Sequence, residues 1–436
     1  MNFLKGEKKL SDLSRFHKMF LIVLISMGSS IIYMPVYLKN VFYEPLMVGL
    51  GVSNEQLGAL VGMYGIMATI LYIPSGMVAD KVRVRTLAWV GFAATALAVF
   101  WYAAMPSYGV LLFIFGLMAV TTILIWWGTR FKLVRLVSSE EEYPKNIGFS
   151  YGLYGVAGLI FNMIALGVFG MIADQTRGVT TVLIIMGAII LLFGILSFFF
   201  IPKFEGEIKT DGKSFNLSEF AEALKHPGVW LASISMFFIC FVYQGMNYTT
   251  PFLTNVFGAS LGLVSVVGMI RTYGITLISS PILGKVAEKI NSPAKVIMVI
   301  SAVAALCYGS FLILPKTAAM AIVVAVIMVV LGFVGNGAFG IASSQLTETK
   351  VPIHVFGAAT GMVSVIGFLP ESFMHQWFGG MIDRQGNAAF TTIFGILIVC
   401  AVLSIGASLL VRRYAKKHTG TGEDKKIVKE VDTAVE

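Results

Sequence analysis

Gly76-Met-Val-Ala-Asp80-Lys81-Val-Arg83-Val-Arg85 is a short charged break between two long apolar runs, 53–79 and 86–104. Each flanking run can cross a ~30 Å hydrocarbon layer, which takes ~20 residues of helix. Outward from this break the same alternation continues in both directions. Twelve candidate spans result, at 18–40, 53–79, 86–104, 107–130, 147–173, 179–201, 228–256, 260–287, 294–314, 318–346, 353–382 and 388–411. The composition agrees. Of 436 residues, 57% are hydrophobic and 13% charged, whereas soluble chains carry about 25% charged residues. Mean hydropathy is +0.84. These values exclude a soluble enzyme, a disordered chain and a nucleic-acid binder, despite a net charge of +9. The runs are also too long for the ~10-residue alternating strands of a membrane barrel. The expectation is an all-α membrane protein. No cleaved signal peptide is expected, because the first apolar run is long and has no small-residue cleavage site after a short core. Cys240, Cys307 and Cys400 fall inside predicted spans, so neither a disulfide framework nor a metal site is implied.

The basic residues orient the chain. With the N-terminus inside, 27 of the 32 Lys and Arg fall in inside segments. Four (Lys39, Arg177, Lys316 and Arg384) fall outside, and Arg271 is left in mid-span. This bias places both termini in the cytoplasm and requires an even number of spans.

The chain also repeats itself. Gly158, Asn162, Gly170 and Asp174 recur as Gly367, Glu371, Gly379 and Asp383, all at an offset of 209. Gly76, Asp80 and Lys81 recur as Gly284, Glu288 and Lys289 at an offset of 208. Pro35-Val-Tyr-Leu-Lys-Asn-Val-Phe42 is echoed by Pro251-Phe-Leu-Thr-Asn-Val-Phe257. A duplicated six-span unit follows, as in transporters whose site forms between the repeats. The organisation reads as a cytoplasmic tail 1–17, a six-helix bundle 18–201, a linker 202–227, a second bundle 228–414 and a tail 415–436. Within the linker, Asn216-Leu-Ser-Glu219 matches a capping box. It could start a short amphipathic helix or belong to an unstructured link.

The break at Gly76–Arg85 resembles the loop between helices two and three of the major facilitator superfamily, Gly-x-x-x-Asp-Arg/Lys-x-Gly-Arg-Arg/Lys. Arg83 stands where that family has glycine, and Val84 where it has arginine. The resemblance covers residues 18–414 and implies twelve helices in two pseudo-symmetric bundles. It implies a conformational latch from Gly76, Asp80, Lys81 and Arg85 and their repeats Gly284, Glu288 and Lys289. Asp80 would face the positive N-terminus of a helix in the other bundle, and Gly76 would let helices approach closely. Gly335-Asn-Gly337-Ala-Phe-Gly340 lies inside an apolar span with no preceding strand, so it reads as helix packing and not as a dinucleotide site.

Charges inside the membrane mark candidate sites, because each costs at least ~2.5 kcal/mol to insert. Arg271 lies about 17 Å along span 8 from Ser260, and Glu371 about 18 Å along span 11 from Asp383, at 1.5 Å per residue. The resemblance places both spans beside one cavity. Arg271 offers a forked cation for an anion, and Glu371 a titratable carboxylate; a structural Arg271–Glu371 ion pair is the alternative. Asn162, Gln244, Asn247, Tyr248, Tyr33, Tyr37, Asn336 and Arg130 are further candidate substrate ligands, with His375 a candidate proton relay.

The lone span-8 arginine is nearest to the anion-porter branches of the family: nitrate/nitrite, oxalate/formate and sugar-phosphate permease-like. Met63 stands where nitrate porters carry a second arginine, and Glu371 replaces a span-11 lysine of oxalate/formate porters. The expected function is secondary transport of a monocarboxylate or sugar-acid anion across the inner membrane, with proton coupling (a symporter). The alternative is a transporter-like receptor or sensor without a transport cycle. No cofactor, metal, nucleic acid or enzymatic activity is expected. The partners are a small anion, protons and membrane lipid, and the chain is expected to be a monomer.

Overall fold

The structure is a computed structural model describing residues 6–139, 142–208, 217–352 and 355–418. Eleven helical stretches in it are long and apolar enough to cross a membrane. The last, Ala358–Lys417, holds 60 residues. It is two crossings, turned at Gly386–Ala388, where Gly386 takes the positive φ of 56° that favours glycine. The chain is therefore an all-α membrane protein with twelve crossings among its described residues.

Polar caps set many of the helix starts. Span 1 (Arg15–Tyr37) is capped by Ser14, and span 2 (Asn54–Lys81) by Ser53 in a capping box with Gln56. Spans 3 (Val84–Ala103), 4 (Tyr108–Leu136) and 5 (Tyr143–Met171) follow. Asp174 caps span 6 (Gln175–Phe200) through Arg177 N at 2.7 Å. The second set runs through span 7 (Pro227–Phe257), span 8 (Leu261–Ile290), span 9 (Pro293–Ile313) and span 10 (Ala318–Glu348). Span 11 begins at Phe356, and span 12 is Ala389–His418. The linker carries a helix, Leu217–Lys225, as one of the two readings anticipated. The capping residue assigned at Asn216 lies outside the described residues, as do the side chains of Ser218 and Glu219.

Several spans are not continuous α-helix. Span 4 passes through a π-helical stretch at Val120–Trp127, and span 8 through one at Ile270–Gly274, which carries Arg271. Span 7 tightens to 3-10 geometry at Met246–Tyr248. Span 11 breaks at Leu369–Ser372 and resumes at Met374. Pro370 lies within that break and cannot donate a helical hydrogen bond. Irregular turns of this kind free backbone groups inside the membrane and collect at functional positions.

Buried apolar side chains form two clusters. One draws on residues from Leu13 to Phe204 together with Met269 and Tyr273, the other on Ala223 to Ala401. Two pairs of spans bring the clusters together: 2 with 11, and 5 with 8. The repeat maps span 2 onto 8 and span 5 onto 11, so the two contacts are images of each other. Two equivalent glycines allow close approaches, one between the halves and one within the C-terminal half. A methyl group at Gly158 would overlap the Tyr273 ring, and one at its mate Gly367 would overlap Met236. The end of the bundle bearing Asp80 to Arg85 is called the motif face below, and the opposite end the far face.

Candidate functional site

Three groups of polar side chains lie buried where the halves meet. The first surrounds the break in span 11. Tyr37, on the last turn of span 1, donates its hydroxyl to Glu371 Oε1 at 2.7 Å, and Gln244 of span 7 adds a side-chain hydrogen bond. One turn further, Lys39 Nζ lies 3.0 Å from His375 Nδ1. Tyr248 donates to the His375 carbonyl at 2.8 Å, and Lys39 lies over the Tyr248 ring at 5.4 Å. Span 2 presses backbone to backbone on this break. Its glycine stripe makes that possible: methyl groups at Gly62 and Gly65 would stand 2.9 Å from Ser372 O and Glu371 C, and one at Gly58 would overlap the His375 carbonyl.

The second group is built on Arg271, which is fully buried at 0% exposure. Nη1 donates to Met246 O (2.9 Å), Thr249 Oγ1 (2.7 Å) and Thr250 Oγ1 (3.1 Å). Nη2 donates to Asn40 O (2.9 Å) and Asn247 Oδ1 (3.1 Å). Neutral acceptors thus occupy both terminal nitrogens. They tie span 8 to span 7 and, through Asn40, to the end of span 1. The expected alternative of an Arg271–Glu371 ion pair is not formed among the described residues; Glu371 bonds to Tyr37 and Gln244 instead.

The third group centres on Arg130 in span 4, where exposure is 3%. Its guanidinium faces the rings of Tyr151 at 4.6 Å and of Tyr154 and Phe131 at 5.5 Å. Neither Nε nor Nη2 has a hydrogen-bond partner. Tyr33 closes the neighbourhood from span 1, its hydroxyl bonded to Thr122 O at 3.1 Å. A relay of aromatic groups leads from there to Glu371: Tyr64 bonds Thr122 Oγ1 at 2.8 Å and meets Tyr37 edge-on at 5.7 Å.

Other expected ligands lie apart. Asn162 donates to Gly158 O of its own helix at 2.8 Å and shares a side-chain hydrogen bond with Tyr273 of span 8. Asn336 packs under Arg271, donating to its carbonyl at 3.0 Å and accepting from Thr276 at 2.8 Å. Lys39, on the outside end of span 1 by the count of basic residues, is buried at 2% exposure inside the interface. Sequence reasoning also passed over Asn40, Thr249 and Thr250, which look like ordinary helix-end polar residues.

Between the Glu371 break and the motif face, the Tyr72 and Phe368 rings of spans 2 and 11 meet at 5.3 Å. The close approach expected at Gly76 is not made: a methyl there would have nothing within 4 Å, nor would one at its repeat mate Gly284. Arg85 stacks on Phe198 of span 6 at 4.8 Å. Lys81, Glu288 and Lys289 are exposed, and Asp80 ends span 2. On the far face the seal is polar and direct. Asp383 bonds the first turn of span 2, and Arg384 pairs with Glu55 at 3.7 Å.

Comparisons with known proteins agree with this architecture. Residues 19–374 match the family model described as Major Facilitator Superfamily. Inner membrane protein YqcE of Escherichia coli (strain K12) is 29% identical over 377 residues, 84% of this chain and 88% of that one. Inner membrane protein YihN of the same organism is 28% identical over 421 residues, 92% and 97% of the two chains. Among solved structures, a bacterial homolog of the human lysosomal transporter Spinster, inward-facing and unoccupied, superposes with a TM-score of 0.74 at 16% identity. The match covers 93% of this chain and 99% of that one. The nucleoside transporter NupG gives a TM-score of 0.71 at 15% identity, covering 91% and 99%. At these identities the structural likeness speaks for the fold.

Proposed function

The chain belongs to the Major Facilitator Superfamily and is a multi-pass membrane transporter, and from that premise we propose that its cargo is a small organic anion, of monocarboxylate or sugar-acid type. The observation that carries this reading is the state of Arg130. A buried guanidinium is unfavourable unless its donors are met. Both terminal nitrogens of Arg271 meet protein acceptors, five in all, and its Nε alone is unpartnered, whereas Arg130 keeps both Nε and Nη2 buried and unpartnered. Arg130 is therefore the cation left for a ligand carboxylate, which a guanidinium grips with two parallel bonds. The rings of Tyr151 and Tyr154 hold it from the sides without neutralising it.

Glu371 supplies the coupling in this reading. It sits in the wall that closes the far side, bonded across the interface to Tyr37. Opening the far side must break that bond and the Lys39–His375 contact together, which exposes the carboxylate to water on that side. Proton uptake then accompanies the conformational change, giving symport by alternating access. The Lys and Arg distribution sets the motif face in the cytoplasm, with both termini there, and the names of the Escherichia coli relatives favour the inner membrane. The chain acts as a monomer, with no cofactor.

The test is a thermal-shift screen of purified protein against monocarboxylates and sugar acids, with the matching neutral alcohols and sugars as controls. A ligand raises stability by RT ln(1 + [L]/Kd). Stabilisation by an acid and not by its neutral analogue supports the reading. Stabilisation by neutral compounds alone would refute it.

A further inference from the structure

The motif face is built differently in the two repeats. In the N-terminal half, protein carboxylates fill the corner between the end of span 6 and the start of span 3. Glu207, 3% exposed, accepts from Arg83 Nη1 at 3.0 Å and from Val84 N at 3.1 Å. Glu7 takes Arg83 Nη2 at 2.5 Å. A two-residue parallel strand pair, Glu7–Lys8 with Lys203–Phe204, holds the segments there. Arg83, the departure from the family loop pattern, is thus the centre of a clasp between the N-terminal segment, span 3 and the start of the linker.

In the C-terminal half the start of span 9 is capped instead from span 10, by Glu348, and among the described residues no carboxylate stands at the position equivalent to Glu207. The repeat offsets of 208 and 209 carry Glu207 onto Ala415 and Lys416, and Arg83 onto Asn291 and Ser292. All four residues line an open cavity of about 620 Å³. Lys295, Lys350, Arg412 and Lys416 surround it, against two carboxylates, Glu288 and Glu348. Glu348 is already engaged, accepting from Ser292 Oγ at 2.6 Å and from Ala294 N at 2.8 Å. Among the described residues, Lys295, Arg412 and Lys416 therefore face one uncommitted carboxylate, Glu288, beside the position equivalent to Glu207.

We propose that this cavity binds a phosphate-bearing anion, which ties the end of span 12 to the loop between spans 8 and 9 as Glu207 ties span 6 to span 3. The volume exceeds what a single carboxylate needs, and several cations suit a group with three or four acceptor oxygens. Basic pockets between helices at a membrane surface take lipid phosphates in this way. A phospholipid headgroup and a soluble phosphate share the chemistry. The site is independent of Arg130 and of the cargo.

The experiment measures thermal unfolding of the purified full chain in neutral detergent at fixed ionic strength. The additives are dioleoylphosphatidylglycerol, dioleoylphosphatidylcholine and inorganic pyrophosphate. Phosphatidylglycerol or pyrophosphate should raise the midpoint, and phosphatidylcholine should not. A rise with the lipid alone identifies a headgroup; a rise with pyrophosphate identifies the phosphate group itself. Ala415→Glu, which restores the carboxylate of the other repeat, and the double change Arg412→Gln/Lys416→Gln should each weaken the response by roughly tenfold. Ala415→Gln, similar in size and uncharged, should keep it. No rise with either anion, an unchanged response in Ala415→Glu, or an equal loss in Ala415→Gln would each overturn the proposal.

Discussion

Asp383 caps a helix that belongs to the other half of the molecule: Asn54 N donates to its Oδ1 at 3.0 Å and Glu55 N to its Oδ2 at 2.7 Å. The Asn54 side chain adds a third bond, to Oδ1 at 2.7 Å. A carboxylate there answers the unsatisfied N–H groups and the positive end of span 2. Its repeat mate Asp174 caps span 6 within its own half. The same residue thus serves local structure in one repeat and closure of the far side in the other.

Asp383→Ala should loosen that closure. Removing a capping carboxylate costs about 0.5–2 kcal/mol, enough to shift a two-state equilibrium several-fold. A single cysteine at Ser372, in a background without Cys240, Cys307 and Cys400, should label faster from the far side. An unchanged labelling rate in folded protein would remove Asp383 from the gate.

Gly58→Val should hold the far side open. The added branches would collide with the His375 carbonyl, a backbone atom that cannot swing away. The variant should insert and bind, yet lose transport. Full transport would show that spans 2 and 11 do not need to meet at this depth.

Arg271→Gln and Glu371→Gln should act nearly independently. Arg271 touches neutral acceptors on span 7 and at the end of span 1, and Glu371 touches Tyr37 and Gln244. The single Arg271 change should destabilise strongly, because it strands buried acceptors. Arg271→Lys should not restore stability, since three donors cannot replace a fork that meets five acceptors. In a double-mutant cycle on thermal stability, the coupling should be small, about 0.5 kcal/mol, because Arg271 and Glu371 are joined indirectly, through the 3.4 Å hydrogen bond from Asn247 to Gln244. Rescue of one change by the other would reinstate the ion pair.

Glu207→Ala should destabilise more than Arg83→Ala. Glu207 loses both the ion pair and the cap on Val84 N, and its side chain is 1% exposed against 30% for Arg83. The half-exposed pair alone is worth little, about 0–1 kcal/mol. Melting curves at low and high salt separate the two contributions; equal losses would mean that the cap adds nothing.

The parts of this molecule visible in its sequence are those that depend on periodicity and local charge. Twelve apolar runs, the Asp80 loop and the Gly158/Gly367 repeat needed no tertiary information. The burial of Lys39 was not visible because a count of basic residues treats every lysine near a helix end as solvent-facing, while here His375 and Tyr248 of the other half enclose it. The role of Arg271 was hidden for another reason. Its acceptors are carbonyls and threonine hydroxyls, which carry no charge signature, so only the packing of spans 1 and 7 reveals them. Two signals were legible and went unread. Gly58, Gly62 and Gly65 form a small-residue stripe of the kind that brings membrane helices together, and Pro370 marks the break beside Glu371. Asp383 could be seen to repeat Asp174, but not to reach across to another half.

The most direct test of the anion reading is uptake into proteoliposomes of the best-stabilising acid from the ligand screen, measured for the native chain, Arg130→Gln and Arg130→Lys at saturating and limiting concentrations. Arg130→Gln should abolish uptake while leaving the melting temperature nearly unchanged, because no protein acceptor is stranded by the change. Arg130→Lys should keep the charge but lose the two-bond grip, raising KM by about tenfold or more. Native rates and native KM in a folded Arg130→Gln protein would contradict the account.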